Sequence, residues 1–328
     1  MDWLIYALGG GWGHLTRAVA LARAAPAGRS VRILTNSPYV SHVRRVMPEL
    51  DLAVLDPSLL PVKAAREQAL REIQAASAPC LIVDTFPRGL GGELASTLHS
   101  MAATKVLVHR DLNPRYVSVA GLRRFVASRY DLVLVPGEDE GAAFPGVVTA
   151  PWVIRDPKEI PPRSGPPCIL VCASGPAEEL AWYGDVIERL LSGNPPARVR
   201  CVAPACPPGC PPKCWIKHWP ASDLYAEAKV VVGGAGYNTI YECMAYNIPL
   251  IVRPWPRKYD RQWLRAKRAA RHGPVTIVKQ PEEAASAALR ELAAGQLRRA
   301  SANFRNGADE AVMLIERETR NEKRETSR

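Results

Sequence analysis

The chain has 328 residues, of which 47% are hydrophobic and 23% charged, and its formal net charge is +11. This composition excludes a disordered or fibrous chain and suits a soluble protein of two ordinary domains. No run reaches the roughly 18 uninterrupted apolar residues of a membrane span, and the start at Met1-Asp2 carries no signal-peptide flank, so a cytoplasmic location is expected.

The first half alternates short apolar runs with helical patterns. Strands are predicted over 3–8, 31–34, 52–55, 80–83, 105–108 and 132–135. Helices are predicted over 14–25, 39–46, 62–77 and from residue 92, with further helical sequence between 108 and 132. Short buried runs separated by crossovers indicate a doubly wound parallel sheet. Six prolines over 150–167 break the pattern and read as a linker. A second series follows, with strands over 169–172, 199–202, 230–232 and 250–252, and helices over 178–191, 237–245, 261–271, 282–293 and 296–318. The expected fold is α/β: two Rossmann-like, doubly wound parallel-sheet domains facing across a cleft. The expected bounds are 1–152 for the first domain, 153–166 for the linker, 167–318 for the second domain and 319–328 for a frayed tail. Ligands in such sheets sit at the carboxyl ends of the strands.

The first strand ends in Gly9-Gly10-Gly11-Trp12-Gly13-His14. Glycine lets a ligand approach the backbone, and the helix that follows offers free N–H groups. A dinucleotide fingerprint fails here, because the spacing is not GxGxxG and the second strand ends Leu34-Thr35-Asn36 without an acid. His14 could merely cap its helix. Its place at a strand's carboxyl end also suits a general base, with Gly11 and Gly13 lining the approach. Asp84 ends the run Cys80-Leu81-Ile82-Val83 at the same sheet edge, where a carboxylate would orient the imidazole. The stretch His109-Arg110-Asp111 imitates a kinase catalytic loop, but Tyr116 stands at the asparagine position and no DFG follows. Arg110 and Asp111 are retained as cleft-lining residues.

Cys206, Cys210 and Cys214, with Cys201 upstream, stand among prolines in a spacing that matches no zinc pattern, and no histidine pairs with them. No metal site is expected, and the loop is left without a role.

The richest stretch runs from Trp219 to Ala266. Gly234 and Gly236 follow a strand and would let a diphosphate lie on backbone N–H groups, while Asn238 and Thr239 would cap the helix. Glu242, one turn on, is placed to accept ribose hydroxyls. Asp260 and Gln262 follow the next strand and could bond sugar hydroxyls. Ser174 and Gly175 form a second small-residue turn. Phosphate charge would be met by helix dipoles and arginine rather than by metal.

These residues resemble the donor-binding motif of GT-B glycosyltransferases. The likeness is strongest to the bacterial peptidoglycan N-acetylglucosaminyltransferases and the UDP-dependent plant and macrolide enzymes. It is carried by Trp219-Pro220, by Gly236-Tyr237-Asn238-Thr239 with Glu242, by the span from Pro249 to Pro254, and by Asp260 with Gln262. Gly11-Trp12-Gly13-His14 resembles the acceptor-side loop, and Val83-Asp84-Thr85-Phe86 the segment of the partner aspartate. Gly234 replaces the phosphate-binding histidine of the plant enzymes, and Asn247 replaces a glycine. The resemblance implies an acceptor-side first domain and a donor-binding second domain. It implies inverting transfer from a UDP-sugar co-substrate to an acceptor hydroxyl, without metal or other cofactor. The acceptor could be lipid, polysaccharide or small molecule. The positive charge allows peripheral membrane contact, and the absence of an aromatic-basic module argues against nucleic acid. Two alternatives stay open: an epimerase or hydrolase of nucleotide sugars on the same fold, and a non-catalytic nucleotide-sugar-binding protein.

Overall fold

The computed structural model describes residues 1–56, 63–118, 121–137, 143–159, 166–294 and 304–326. The chain divides into two compact units, Met1–Ile154 together with Arg305–Arg328, and Arg155–Phe304.

The first unit opens with β1 (Trp3–Ala7), α1 (Trp12–Ala24), β2 (Val31–Thr35), α2 (Val40–Val46), β3 (Asp51–Val54), α3 (Lys63–Ala76) and β4 (Cys80–Asp84). It continues with α4 (Leu94–Thr97), β5 (Thr104–Val108), α5 (Pro114–Val117), α6 (Leu122–Arg129), β6 (Leu132–Pro136) and β7 (Val147–Thr149). The strands form one sheet in the order β3-β2-β1-β4-β5-β6-β7, and every pairing is parallel. Both β1 and β4 are buried along their whole length, as expected of strands covered on two faces. Leu4, Tyr6, Leu81, Val83 and Leu107 pack against Ile73 of α3 and Val126 of α6.

The second unit holds β8 (Cys168–Cys172), α7 (Ala177–Ser192), β9 (Arg198–Val202), β10 (Trp215–Ile216), β11 (Ala228–Gly234) and α8 (Tyr237–Ala245). β12 (Leu250–Arg253), α9 (Gln262–His272), β13 (Val275–Ile277) and α10 (Pro281–Ala293) complete it. Its parallel sheet runs β10-β9-β8-β11-β12-β13. Ile169, Val171, Val230 and Val232 form the core with Tyr183, Val186 and Leu190 of α7 and Ala284 and Ala288 of α10.

The strand order reverses between β1 and β4 in the first sheet and between β8 and β11 in the second. Such switch points open a crevice at the carboxyl ends of the strands. His14 and Asp84 flank the first, and Ser174 and Gly236 flank the second.

Two boundary expectations are corrected. The last helix, α11 (Gly307–Thr326), belongs to the first unit and not to a second domain spanning 167–318. It lies against α1, β5, β6 and β7, and Gly307 N–H donates to Pro151 O at 3.0 Å. Nor is 319–328 a frayed tail, because α11 continues to Thr326. The amphipathic pattern of 307–320 explains both, since Ala308, Ala311, Val312 and Ile315 bury one stripe. The helix expected over 296–318 is interrupted, because 304–306 are not helical, while 296–303 and residues 160–165 of the expected linker lie outside the described residues. Three short edge-side strands, β7, β10 and β13, were not expected.

Candidate active site

In the first unit the glycine turn is closed by its own side chains. Asn36, at the end of β2, accepts from the N–H groups of Gly9 (2.8 Å) and Gly10 (3.0 Å). The His14 ring lies where a side chain on Gly9 would be, since a Cβ there would stand 2.2 Å from its Cδ2. The ring also stacks on Phe86, centroids 5.5 Å apart. Trp12 and Tyr39 stack in parallel beside the turn, centroids 4.1 Å apart.

His14 Nδ1 is 2.6 Å from Asp84 Oδ2. Asp84 is in turn gripped by Arg17, whose Nε donates to Oδ1 at 3.0 Å and whose Nη2 donates to Oδ2 at 2.7 Å. Arg17 sits one turn after His14 on α1 and is 1% exposed. It also reaches Thr85 Oγ1 at 3.2 Å. Thr85 adopts φ +75°, an uncommon conformation for a β-branched residue, directly after the aspartate.

Burial alone would raise the Asp84 carboxyl, but the charges of Arg17 and His14 outweigh it and hold the group well below its ordinary value. The carboxylate is therefore ionised, so Nδ1 carries the imidazole proton and Nε2 keeps a lone pair. Burial also lowers the His14 pKa, beyond the upward pull of Asp84, and the charges of Arg17 and Arg110 lower it further. The imidazole is thus neutral near pH 7 and still 14% exposed, which is the condition of a proton acceptor. Gly11 is the N-cap of α1, with no side-chain capping bond, and a Cβ on Gly13 would lie 3.8 Å from Arg110 Nη1. Arg110 thus joins this group. Asp111 follows it after β5, half-buried.

In the second unit the turn after β11 is open. Gly236 is the N-cap of α8, no side chain caps the helix, and its first turn has no acid. The expectation that Asn238 and Thr239 cap α8 is corrected: both lie inside the first turn, and a Cβ-free residue occupies the cap. A Cβ on Gly236 would meet nothing within 4 Å. Asn238 Oδ1 is buried with no hydrogen-bond partner among the described residues. Gly234 faces Tyr183 and Trp255, and the guanidinium of Arg253 lies over the Trp255 ring at 3.8 Å. Arg253 pairs in register with Gly234 at the end of β12.

The remaining residues of the donor motif fall into three situations. Glu242 lies one turn beyond Asn238 but is 5% exposed, and it accepts a long bond from Tyr225 O–H, at 3.5 Å. Burial pushes its pKa up to about 8 against the pull of Tyr225, and the charge of Asp223 adds to the rise. Near pH 7 it is mostly a neutral acid, not the open carboxylate expected. Trp219 is also buried. Asp260 is half-buried and held at both oxygens by Arg265, whose Nη1 also donates to Ala235 O in the glycine turn at 3.0 Å. Gln262 is buried and accepts from Trp255 N–H at 2.9 Å, so its oxygen braces the loop after β12. Ser174 and Gly175 are exposed at the turn after β8. Gly175 has φ +119°, and a Cβ there would strike the Glu179 carboxylate, which is paired to Arg257.

Sequence reasoning missed Arg17, Asn36 and Arg265. Each left a signal. Arg17 is three residues from His14 on one helix face, Asn36 stands where a dinucleotide site would need an acid, and Arg265 lies five residues from Asp260.

Residues 219–315 match the family description "Glycosyltransferase family 28 C-terminal domain". No protein of curated function matches the chain by sequence. Among solved structures, the Streptomyces sp. SF2575 glycosyltransferase SsfS6, complexed with thymidine diphosphate, is similar at 17% identity. That likeness covers 97% of this chain and 99% of that one, with a TM-score of 0.61. Acinetobacter baumannii MurG is similar at 15% identity over 97% of this chain and 100% of that one, with a TM-score of 0.57. The spinosyn rhamnosyltransferase SpnG, complexed with thymidine diphosphate, is similar at 17% identity over 98% and 96%, with a TM-score of 0.57. The chain has the GT-B fold, and its residues 219–315 are similar to a glycosyltransferase family 28 C-terminal domain. Among the described residues no helix is long and apolar enough to cross a membrane.

Proposed function

We propose that the chain transfers a sugar from a pyrimidine nucleoside-diphosphate donor to an acceptor hydroxyl, with inversion at the anomeric carbon. The observation that carries this reading is the buried chain Arg17–Asp84–His14, which leaves a neutral imidazole with one nitrogen committed and one able to take a proton. His14 Nε2 removes the acceptor proton as the oxygen attacks, and Asp84 stabilises the imidazolium that results. Arg17 keeps Asp84 ionised and fixed.

The leaving nucleoside diphosphate is held by the second unit. The uncapped start of α8 supplies N–H groups and a positive dipole end, and Arg253 supplies charge beside Gly234. These groups would meet the phosphates without a divalent ion, so turnover should survive a chelator. Asn238, in the first turn of α8, would meet the donor, with Asp260 reaching the sugar from its Arg265 clamp, while the buried Glu242 lies beneath them. The thymidine diphosphate bound to SsfS6 and SpnG supports a pyrimidine base, and the motif's likeness to UDP-dependent enzymes keeps UDP beside TDP. The charge of +11 suits an anionic donor and contact with an anionic membrane surface from the cytoplasmic side.

The test is a thermal-shift panel of nucleoside diphosphates and their sugars on the full chain, followed by product analysis with and without hydroxyl acceptors. A shift selective for UDP or TDP compounds is expected, because a ligand of the native state raises stability with its concentration. Free sugar or an isomer formed equally without acceptor would instead make the protein a hydrolase or epimerase. No shift with any nucleotide would remove the reading altogether.

A further inference from the structure

The cysteine-rich loop after β9 plays no part in the site above, yet its thiols are held together. Cys210 N–H donates to Pro207 O at 3.1 Å, closing a turn in which Gly209 adopts φ +76°. This folds Cys206 back on Cys210, and Cys206 Sγ stands 3.4 Å from Cys210 O. Cys210 Sγ itself donates to Pro211 O at 3.6 Å. Cys206 is exposed, Cys210 is buried and Cys201 is fully buried.

The loop is seated, not dangling. A Cβ on Gly184 of α7 would lie 1.7 Å from Pro208 O, so glycine at 184 is what admits the loop against the helix. Among the described residues no group of three or more His, Cys, Asp or Glu could hold a metal ion. What the loop does offer is one accessible thiol backed by a second thiol across a tight turn.

We propose that Cys206 and Cys210 are a reversible disulfide site whose oxidant is a low-molecular-weight disulfide. The Cys206 thiolate attacks one sulfur of the small disulfide. A mixed disulfide forms on Cys206, and the first small thiol leaves with the proton that Cys206 gave up. Cys210 then attacks Cys206 Sγ, the mixed S–S bond breaks, and the second small thiol leaves with the Cys210 proton. Two protein thiols are oxidised and one small disulfide is reduced to two thiols. The order follows exposure: Cys206 meets the reagent, and the buried Cys210 resolves it from within.

The experiment incubates the full chain with oxidised glutathione, then denatures it, alkylates it and weighs it. The chain contains eight cysteines. The proposal expects alkylatable thiols to fall from eight to six, a cross-link mapped to Cys206 and Cys210, and return to eight with dithiothreitol. Cys210→Ser should trap a glutathione adduct on Cys206, and Cys206→Ser should keep all its remaining thiols. Eight thiols surviving in the unaltered chain, a lasting glutathione adduct on Cys206, or a bond from Cys210 to Cys201 or Cys214 would overturn it. The readout on the unaltered chain needs no variant to fold and does not depend on sugar transfer.

Discussion

The two glycine turns follow the same kind of strand, precede the same kind of helix and sit at the same kind of switch point, yet they are finished differently. In the first unit Asn36 ties down the backbone and the His14 ring fills the space beside Gly9. In the second nothing fills the space beside Gly236, and α8 begins with no side-chain cap. A turn closed from inside fixes a reacting side chain, whereas a turn left open presents backbone N–H groups to something else. The glycines alone do not decide which; the neighbours do.

The strongest way to break this contrast is His14→Ala. Turnover should fall by about 10²- to 10⁴-fold, while nucleotide affinity measured by calorimetry stays unchanged. Equal loss of both would mean that His14 does not act on the reacting hydroxyl. Gly9→Ala should cost on the order of 10²-fold in kcat by displacing the ring, with a far smaller effect from Gly236→Ala on the fold, read as the melting temperature.

Asp84 sharpens the contrast through pH. Its folded pKa is depressed, so it contributes stability that is present above the unfolded value near 3.9 and is lost as pH falls through the folded one. Asp84→Asn should remove that acid-side dependence in urea melts, and an unchanged slope would mean the Arg17 clamp is not formed. Glu242 has the opposite sign. Its raised pKa gives stability that is full below the unfolded value near 4.5 and is lost as pH rises through about 8. The melting temperature of Glu242→Gln should therefore gain on the unaltered chain across that window, and a constant difference would place the carboxyl in water. Arg265→Lys should have the smallest effect, about three- to tenfold in kcat/KM, because an ammonium cannot reproduce the planar grip on Asp260 and Ala235.

The paired sheets were legible because fully buried parallel strands leave dense apolar runs such as Cys80–Asp84. Strands β7, β10 and β13 were not, being two or three residues long and partly exposed, as at Val148. His14 and Asp84 could be read because strand ends are where chemistry gathers. Arg17, Asn36 and Arg265 could not, because each acts on a partner that only the folded chain brings near. The burial of Glu242 was hidden for the same reason: α8's spacing places it one turn from Asn238, but Tyr225 covers it from another element.

The helix α11 has a consequence for how the protein is made. Its buried stripe lies on α1, β5, β6 and β7, elements that all precede the second unit in the chain. The first sheet must therefore wait, partly uncovered, while the whole second unit emerges from the ribosome and folds. Trimming residues near 307–320 would injure the part of the molecule made first, and chaperone dependence should concentrate there.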